Sequence, residues 1–116
     1  MTEAIFKGDD TRHFGNNFIT IKIKNKHAYE VSKIEAITNA SACIDPKSFT
    51  DPDNFARENI EIVVNYTSEE TPKLNNGSNV LNLVAYDMHN YPYTLPQSLT
   101  FYAQNGVIHK NGRFCC

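Results

Sequence analysis

Residues Phe18–Lys24 read FITIKIK, with Ile19, Ile21 and Ile23 alternating with Thr20, Lys22 and Lys24. Successive side chains of an extended chain point to opposite faces, so this period of two describes a strand with one buried and one wet face. The same pattern recurs along the chain. Asn59–Thr67 (NIEIVVNYT) places Ile60, Ile62, Val64 and Tyr66 on one face, and Ser98–Gln104 does so with Leu99, Phe101 and Ala103. Lys33–Thr38 carries Ile34 and Ala36 on one face, with Ile37 disturbing the alternation. Val80–Asp87 is apolar on both sides, the signature of a central strand covered on both faces. Shorter pieces at Ala4–Lys7, Tyr91–Thr94 and Val107–Lys110 suit edges, and Pro92 and Pro96 fit there because proline cannot donate to a ladder.

Asparagine is the commonest residue and gathers where the apolar runs stop, in GNN (Gly15–Asn17), NNGSN (Asn75–Asn79) and QNG (Gln104–Gly106). Asn and Gly tolerate positive φ, so these clusters punctuate turns. No sustained helical stripe interrupts them. At most, Ser68–Thr71 turns once, where hydroxyls and carboxylates suit a helix N-terminus ahead of Pro72. Short strands separated by turns predict an all-β, immunoglobulin-like antiparallel sandwich of about seven short strands. The chain has no tryptophan, so the Cys…Trp…Cys arrangement of antibody domains is absent. A single domain over residues 1–112 and a tail over 113–116 are expected.

Composition narrows the function classes. With 116 residues and 41% hydrophobic content, the chain has apolar material for one core. A formal charge of −2 leaves no basic footprint for nucleic acid, and Lys22 and Lys24 belong to the wet face of a strand. No run approaches the roughly 20 apolar residues of a membrane span, and MTEAIFKGDD lacks the apolar core of a secretory signal. Neither nucleic acid nor membrane is an expected partner. The cysteines, Cys43, Cys115 and Cys116, are too few and too unevenly placed for a disulfide framework or a closed zinc site. The sequence does not decide whether Cys115 and Cys116 bond.

Candidate chemistry is sparse. Asp9 and Asp10, in KGDDT, follow Gly8 and precede the first amphipathic strand. Adjacent strand residues diverge, so the pair reads as a polar turn rather than a cation site. The stretch DPKSFTDPDNFARE offers Asp51, Asp53, Asn54 and Glu58 in a loose likeness to a calcium loop. Ala56 and Ile62 occupy the positions that need glycine and an acid. It reads as a crossover loop pinned by Phe49 and Phe55. No nucleophile elbow or triad spacing appears, so catalytic residues, metal and cofactor are all expected to be absent. The one candidate binding cluster is Tyr86, His89, Tyr91 and Tyr93 beside Asp87, since tyrosine offers a flat apolar ring with a polar edge. The sequons at Asn39, Asn65 and Asn76 reflect the abundance of Asn, Ser and Thr.

The order of these elements resembles the N-terminal domain of the phage baseplate upper protein family. The matching residues are Gly8, Asp9 and Thr11 in KGDDT and Val31, Ser32 and Ala36 in VSKIEA. Tyr86, Asp87 and Thr94 in YDMHNYPYT and Leu99–Tyr102 in LTFY complete them. The chain departs from the pattern by its extra acid in GDDT, and the regions that follow this domain in larger members are missing. The resemblance implies a non-enzymatic structural or assembly component of a phage or prophage particle, tail or baseplate-like. It would act through protein–protein contacts with other virion or tail proteins, or as a homo-oligomer. Its place would be the virion, or the host cytoplasm during assembly, with contacts expected at the edges near Ala4–Lys7 and Val107–Lys110. The alternative is a carbohydrate- or peptide-binding module using the tyrosine cluster.

Overall fold

In a computed structural model the described residues are 6–14, 17–39, 44–95 and 98–109, with 6–14 and 109 described as backbone. They form nine strands: β1 (Phe6–Phe14), β2 (Phe18–Asn25), β3 (Lys33–Thr38), β4 (Lys47–Phe49), β5 (Asn59–Asn65), β6 (Gly77–Tyr86), β7 (Pro92–Thr94), β8 (Leu99–Gln104) and β9 (Val107–His109). One sheet runs β1-β2-β5 and the other β4-β3-β6-β8-β9, all antiparallel. The fold is an all-β antiparallel sandwich whose division of strands between sheets is immunoglobulin-like. β7 pairs with Val84–Tyr86 and β8 with Gly77–Leu81, on the side of β6 away from β3. They act as one long strand broken after Thr94, and this break together with β4 accounts for nine strands where about seven were expected.

The period-two reading of the faces holds. Ile19, Ile21 and Ile23 of β2 and Ile60, Ile62 and Val64 of β5 are buried, with Ile34 and Ala36 of β3 and Leu99, Phe101 and Ala103 of β8 facing them. β6 is central in its sheet but covered on both faces only near Val84, since Val80 is exposed. Phe55 is a buried plug and Phe49 packs at the rim of the core, as the crossover reading requires.

Two local expectations are corrected. KGDDTRHF is not a turn: it lies inside β1, where Gly8 pairs with Ile23 and Arg12 with Ile21. Four steps of β1 match two of β2, so Asp9, Asp10 and Thr11 form a bulge. Such insertions kink a strand and stop its edge from templating further pairing. The crossover stretch is not wholly irregular either, because Lys47–Phe49 pairs with Ala36–Ile34 as β4. The edge assigned to Ala4–Lys7 belongs to β1 from Phe6 onward, and Val107–His109 is an edge strand; Ala4 and Lys110 lie outside the described residues, as do Cys43, Cys115, Cys116 and the 113–116 tail.

The asparagines do more than turn the chain. Asn39, Asn54, Asn90 and Asn105 have positive φ. Asn39 exchanges backbone and side-chain bonds with Val80 (2.8 Å each) and donates its amide to buried Asn79 Oδ1 at 2.7 Å. Asn79 also accepts from the Asn75 N–H and donates to the carbonyls of Asn75 and Gly77, so this turn is locked by amides rather than by apolar contact. The Ser68–Thr71 region contains a capping box. The Thr67 N–H donates to Glu70 Oε1 (2.9 Å) and the Glu70 N–H to Thr67 Oγ1 (3.2 Å), ahead of a single 3₁₀ turn at Thr71–Lys73.

Candidate functional site

The hairpin tip between β6 and β7 holds the predicted binding residues, and it is built around Asp87. This carboxylate is buried (5% exposed), and its Oδ1 accepts the N–H groups of His89 (2.8 Å) and Tyr91 (3.0 Å). The Tyr93 hydroxyl donates to Oδ2 at 3.4 Å. The Asp87 N–H meets the Tyr91 carbonyl, and left-handed Asn90 (φ 66°) returns its N–H to the Asp87 carbonyl. An aspartate binding the backbone two residues on is the usual way a short loop replaces ladder bonds. From the neighbouring segment, Ser32 Oγ donates to the carbonyls of Asp87 (2.9 Å) and Tyr86 (3.2 Å). The hairpin tip is therefore tied to the entry of β3.

Burial works to raise the Asp87 pKa, but the bonds from Tyr91 and His89, the His89 charge and the Tyr93 hydroxyl together hold it below the usual carboxylate range. With its oxygens engaged by donors, Asp87 is a scaffold rather than a general base. Replacing Asp87 with alanine should speed amide exchange at His89 and Tyr91 about tenfold, because two N–H groups lose a charged acceptor. Exchange as slow as in the parent chain would show that the tip is held some other way.

The structure separates the four predicted residues. Tyr86 pairs with Pro92 and Tyr93 with Ala85, so the two rings project to opposite faces of the sheet. Tyr86 lies on the outer face, with Lys33 Nζ 4.4 Å above its ring and its hydroxyl donating to Glu35 Oε1 at 3.1 Å. That bond to a carboxylate, with burial, raises the Tyr86 pKa. Tyr93 turns toward the core and Asp87. Only His89 and Tyr91 stand free at the tip, with Tyr91 64% exposed beside Met88. A hollow of about 150 Å³ lies among Glu30, Asp87, Met88 and His89. A sugar-stacking platform would have one ring, Tyr91, where the sequence suggested three.

Asp51, taken from the calcium-like stretch, is likewise committed to its own loop. Oδ2 accepts the N–H groups of Asp53 (3.0 Å) and Phe55 (3.1 Å), and Arg57 grips both oxygens at 3.0 and 3.1 Å. This holds Asn54 and Phe55 at positive φ and seats the Phe55 plug. The Arg57 guanidinium first, and then the Phe55 N–H, lower the Asp51 carboxyl to about 2. Glu70 is also lowered, chiefly by Lys47, whose Nζ lies 2.6 and 2.7 Å from its two oxygens. A folded pKa below the unfolded value, about 4 for both acids, gives stability that is complete above that value and lost as pH falls through the folded pKa. Melting temperature should therefore drop from about pH 4 toward pH 2. Asp51→Asn and Glu70→Gln should flatten that drop, and variants with the parent's acid slope would overturn the assignment.

The sequence reading missed the outer side of β5. The Asn25 N–H binds the Glu58 carbonyl at 2.7 Å and the Tyr66 N–H binds the Asn17 carbonyl at 2.8 Å. Both bonds obey the β2–β5 register, so Ile60, Ile62 and Val64 also bond inward to β2. The N–H and C=O groups of Asn59, Glu61, Val63 and Asn65 point the other way, and among the described residues no strand pairs with them. The only sequence signal was Val63, an apolar residue on the polar face, where it is 39% exposed. No family model, curated protein or solved structure matches this chain, so its role is argued from the geometry above together with the motif resemblance.

Proposed function

We propose that this chain is a non-enzymatic structural or assembly component of a phage or prophage particle, working through protein–protein contacts at its sheet edges. The observation that supports this reading best is the side of β5 left unpaired among the described residues, a seven-residue strand with outward backbone donors and acceptors. Exposed edges are either protected or used for strand addition, and among the described residues β5 has no bulge, proline or covering strand, with Glu61 its one charge. The other candidate chemistries give way to structural roles: Asp51 and Asp87 are spent on loop backbone, and Tyr86 and Tyr93 diverge. The edge strand β9, with Val107 41% exposed, adds a second contact region on the other sheet.

The test is composition of the particle. When the encoding genome is induced, mass spectrometry of purified particles should find this chain at a fixed ratio to the other particle proteins. Particles that form without it, or a genome that forms none, would overturn the reading.

A further inference from the structure

We infer that β5 is a self-pairing edge through which two copies join antiparallel about a two-fold axis at Val63, fusing their three-stranded sheets into one of six. The inference rests on the assembly reading and names the partner of the same edge as a second copy of this chain.

The edge strands among the described residues differ in how open they are. β1 is broken by the bulge between Gly8 and Arg12, and β4, β7 and β9 have three residues each, β7 beginning with Pro92. β5 runs seven residues in unbroken register with β2, and contains no proline, glycine or lysine. Bulges, short length, prolines and lysines are the devices that stop edges from pairing. Only Glu61 places a charge on the strand, and Lys22 stands opposite it on β2.

Length and charge select the occupant. A three-residue β9 would leave half of the outward groups of β5 unpaired, whereas a second β5 can pair the outward groups of Glu61, Val63 and Asn65, three of its four outward residues. Outward-facing residues must meet outward-facing residues, so three two-fold registers are open. Centring on Glu61 sets two carboxylates against each other, which is destabilising. Centring on Ile62 puts Glu61 against Val63. Centring on Val63 sets valine against valine, covering the exposed side chain, and places each Glu61 opposite Asn65 of the second copy. That register gives the carboxylate an amide donor and keeps the two glutamates apart. Closed two-fold pairs are also the commonest form of self-association.

Sedimentation equilibrium of the chain alone, from micromolar to hundred-micromolar concentration, should show the 13.2 kDa mass doubling. Hydrogen exchange should show protection at Glu61, Val63 and Asn65 that grows with concentration, against constant protection at Ile60, Ile62 and Val64. Val63→Pro removes an outward N–H that β2 does not use, and Val63→Lys adds an edge charge. Each should give a folded monomer by circular dichroism, and if one fails to fold the other and the exchange pattern decide. A monomer throughout, open-ended polymers, or a dimer indifferent to both folded variants would overturn the inference. A monomer that is still found in purified particles would overturn this pairing while leaving the assembly role standing. A dimer absent from particles would do the reverse.

Discussion

Asn25→Asp should destabilise the fold by about 3 kcal/mol or more at neutral pH, the largest effect expected of any single-atom exchange in this chain. Asn25 closes β2 and is wholly buried. Its Nδ2 donates to the carbonyls of Tyr29 (2.8 Å) and Phe55 (3.0 Å), and its Oδ1 accepts the Tyr29 N–H (3.2 Å). The loop it holds contains His27 and Ala28 at positive φ (72° and 50°), a conformation that costs energy in non-glycine residues and persists only when surroundings enforce it. An aspartate sets an oxygen against two carbonyl oxygens. A carboxylate there is repelled, and a neutral acid offers one donor where two are needed. Either way, the folded state favours the protonated form, so the folded pKa of the new acid lies above its unfolded value. The sign follows: the variant is least damaged below about pH 4 and loses stability as pH rises through its folded pKa, opposite to the acid-side trend from Asp51 and Glu70. Urea unfolding at pH 4 and pH 7 reads this directly. A midpoint equal to the parent's at pH 7 would show that the amide bonds are not what holds the two loops together.

Tyr66→Ala is the second large effect, about 3–5 kcal/mol, with Tyr66→Phe costing about 1–2 kcal/mol. Tyr66 follows β5 in one sheet and is 1% exposed. Its ring stacks on Phe101 of β8 at 6.0 Å between centroids, and its hydroxyl lies 2.7 Å from Thr38 Oγ1 of β3. Both partners belong to the opposite sheet, so one side chain ties the sandwich together across its core. Alanine removes the ring and leaves a cavity; phenylalanine keeps the ring and strands the Thr38 hydroxyl. Burial, opposed in part by the Thr38 bond, pushes the Tyr66 pKa up to about 12. A raised pKa means that this contribution is whole below the unfolded value near 10 and is lost as pH climbs toward 12. Tyr66→Phe should therefore be less sensitive than the parent to alkali between about pH 10 and 12. If Tyr66→Phe matches the parent in both stability and alkaline slope, the hydroxyl bond contributes nothing.

Much of the sandwich was legible before any coordinates. The alternation in FITIKIK, NIEIVV and LTFYA assigned both face and strand type, and Phe49 and Phe55 declared themselves as plugs in a polar crossover. The candidate site was far less legible. Tyr86, His89, Tyr91 and Tyr93 are close in sequence, but the hairpin register sends Tyr86 and Tyr93 to opposite faces. The acids at Asp9 and Asp10 read as a turn because no local signal separates a turn from a bulge; only pairing with β2 does so. Asn79 read as a turn residue and Asn25 carried no signal of its own, yet both are fully buried, since what they bind lies partly on loops remote in sequence.

The sequence by itself determined the main amphipathic strands and their inner faces, because these follow from a period of two, a local property. The tertiary structure alone decided which strand edges stay open and which polar side chains become internal fasteners. Those depend on register between segments tens of residues apart, where a shift of one residue turns every side chain and every backbone donor to the other side.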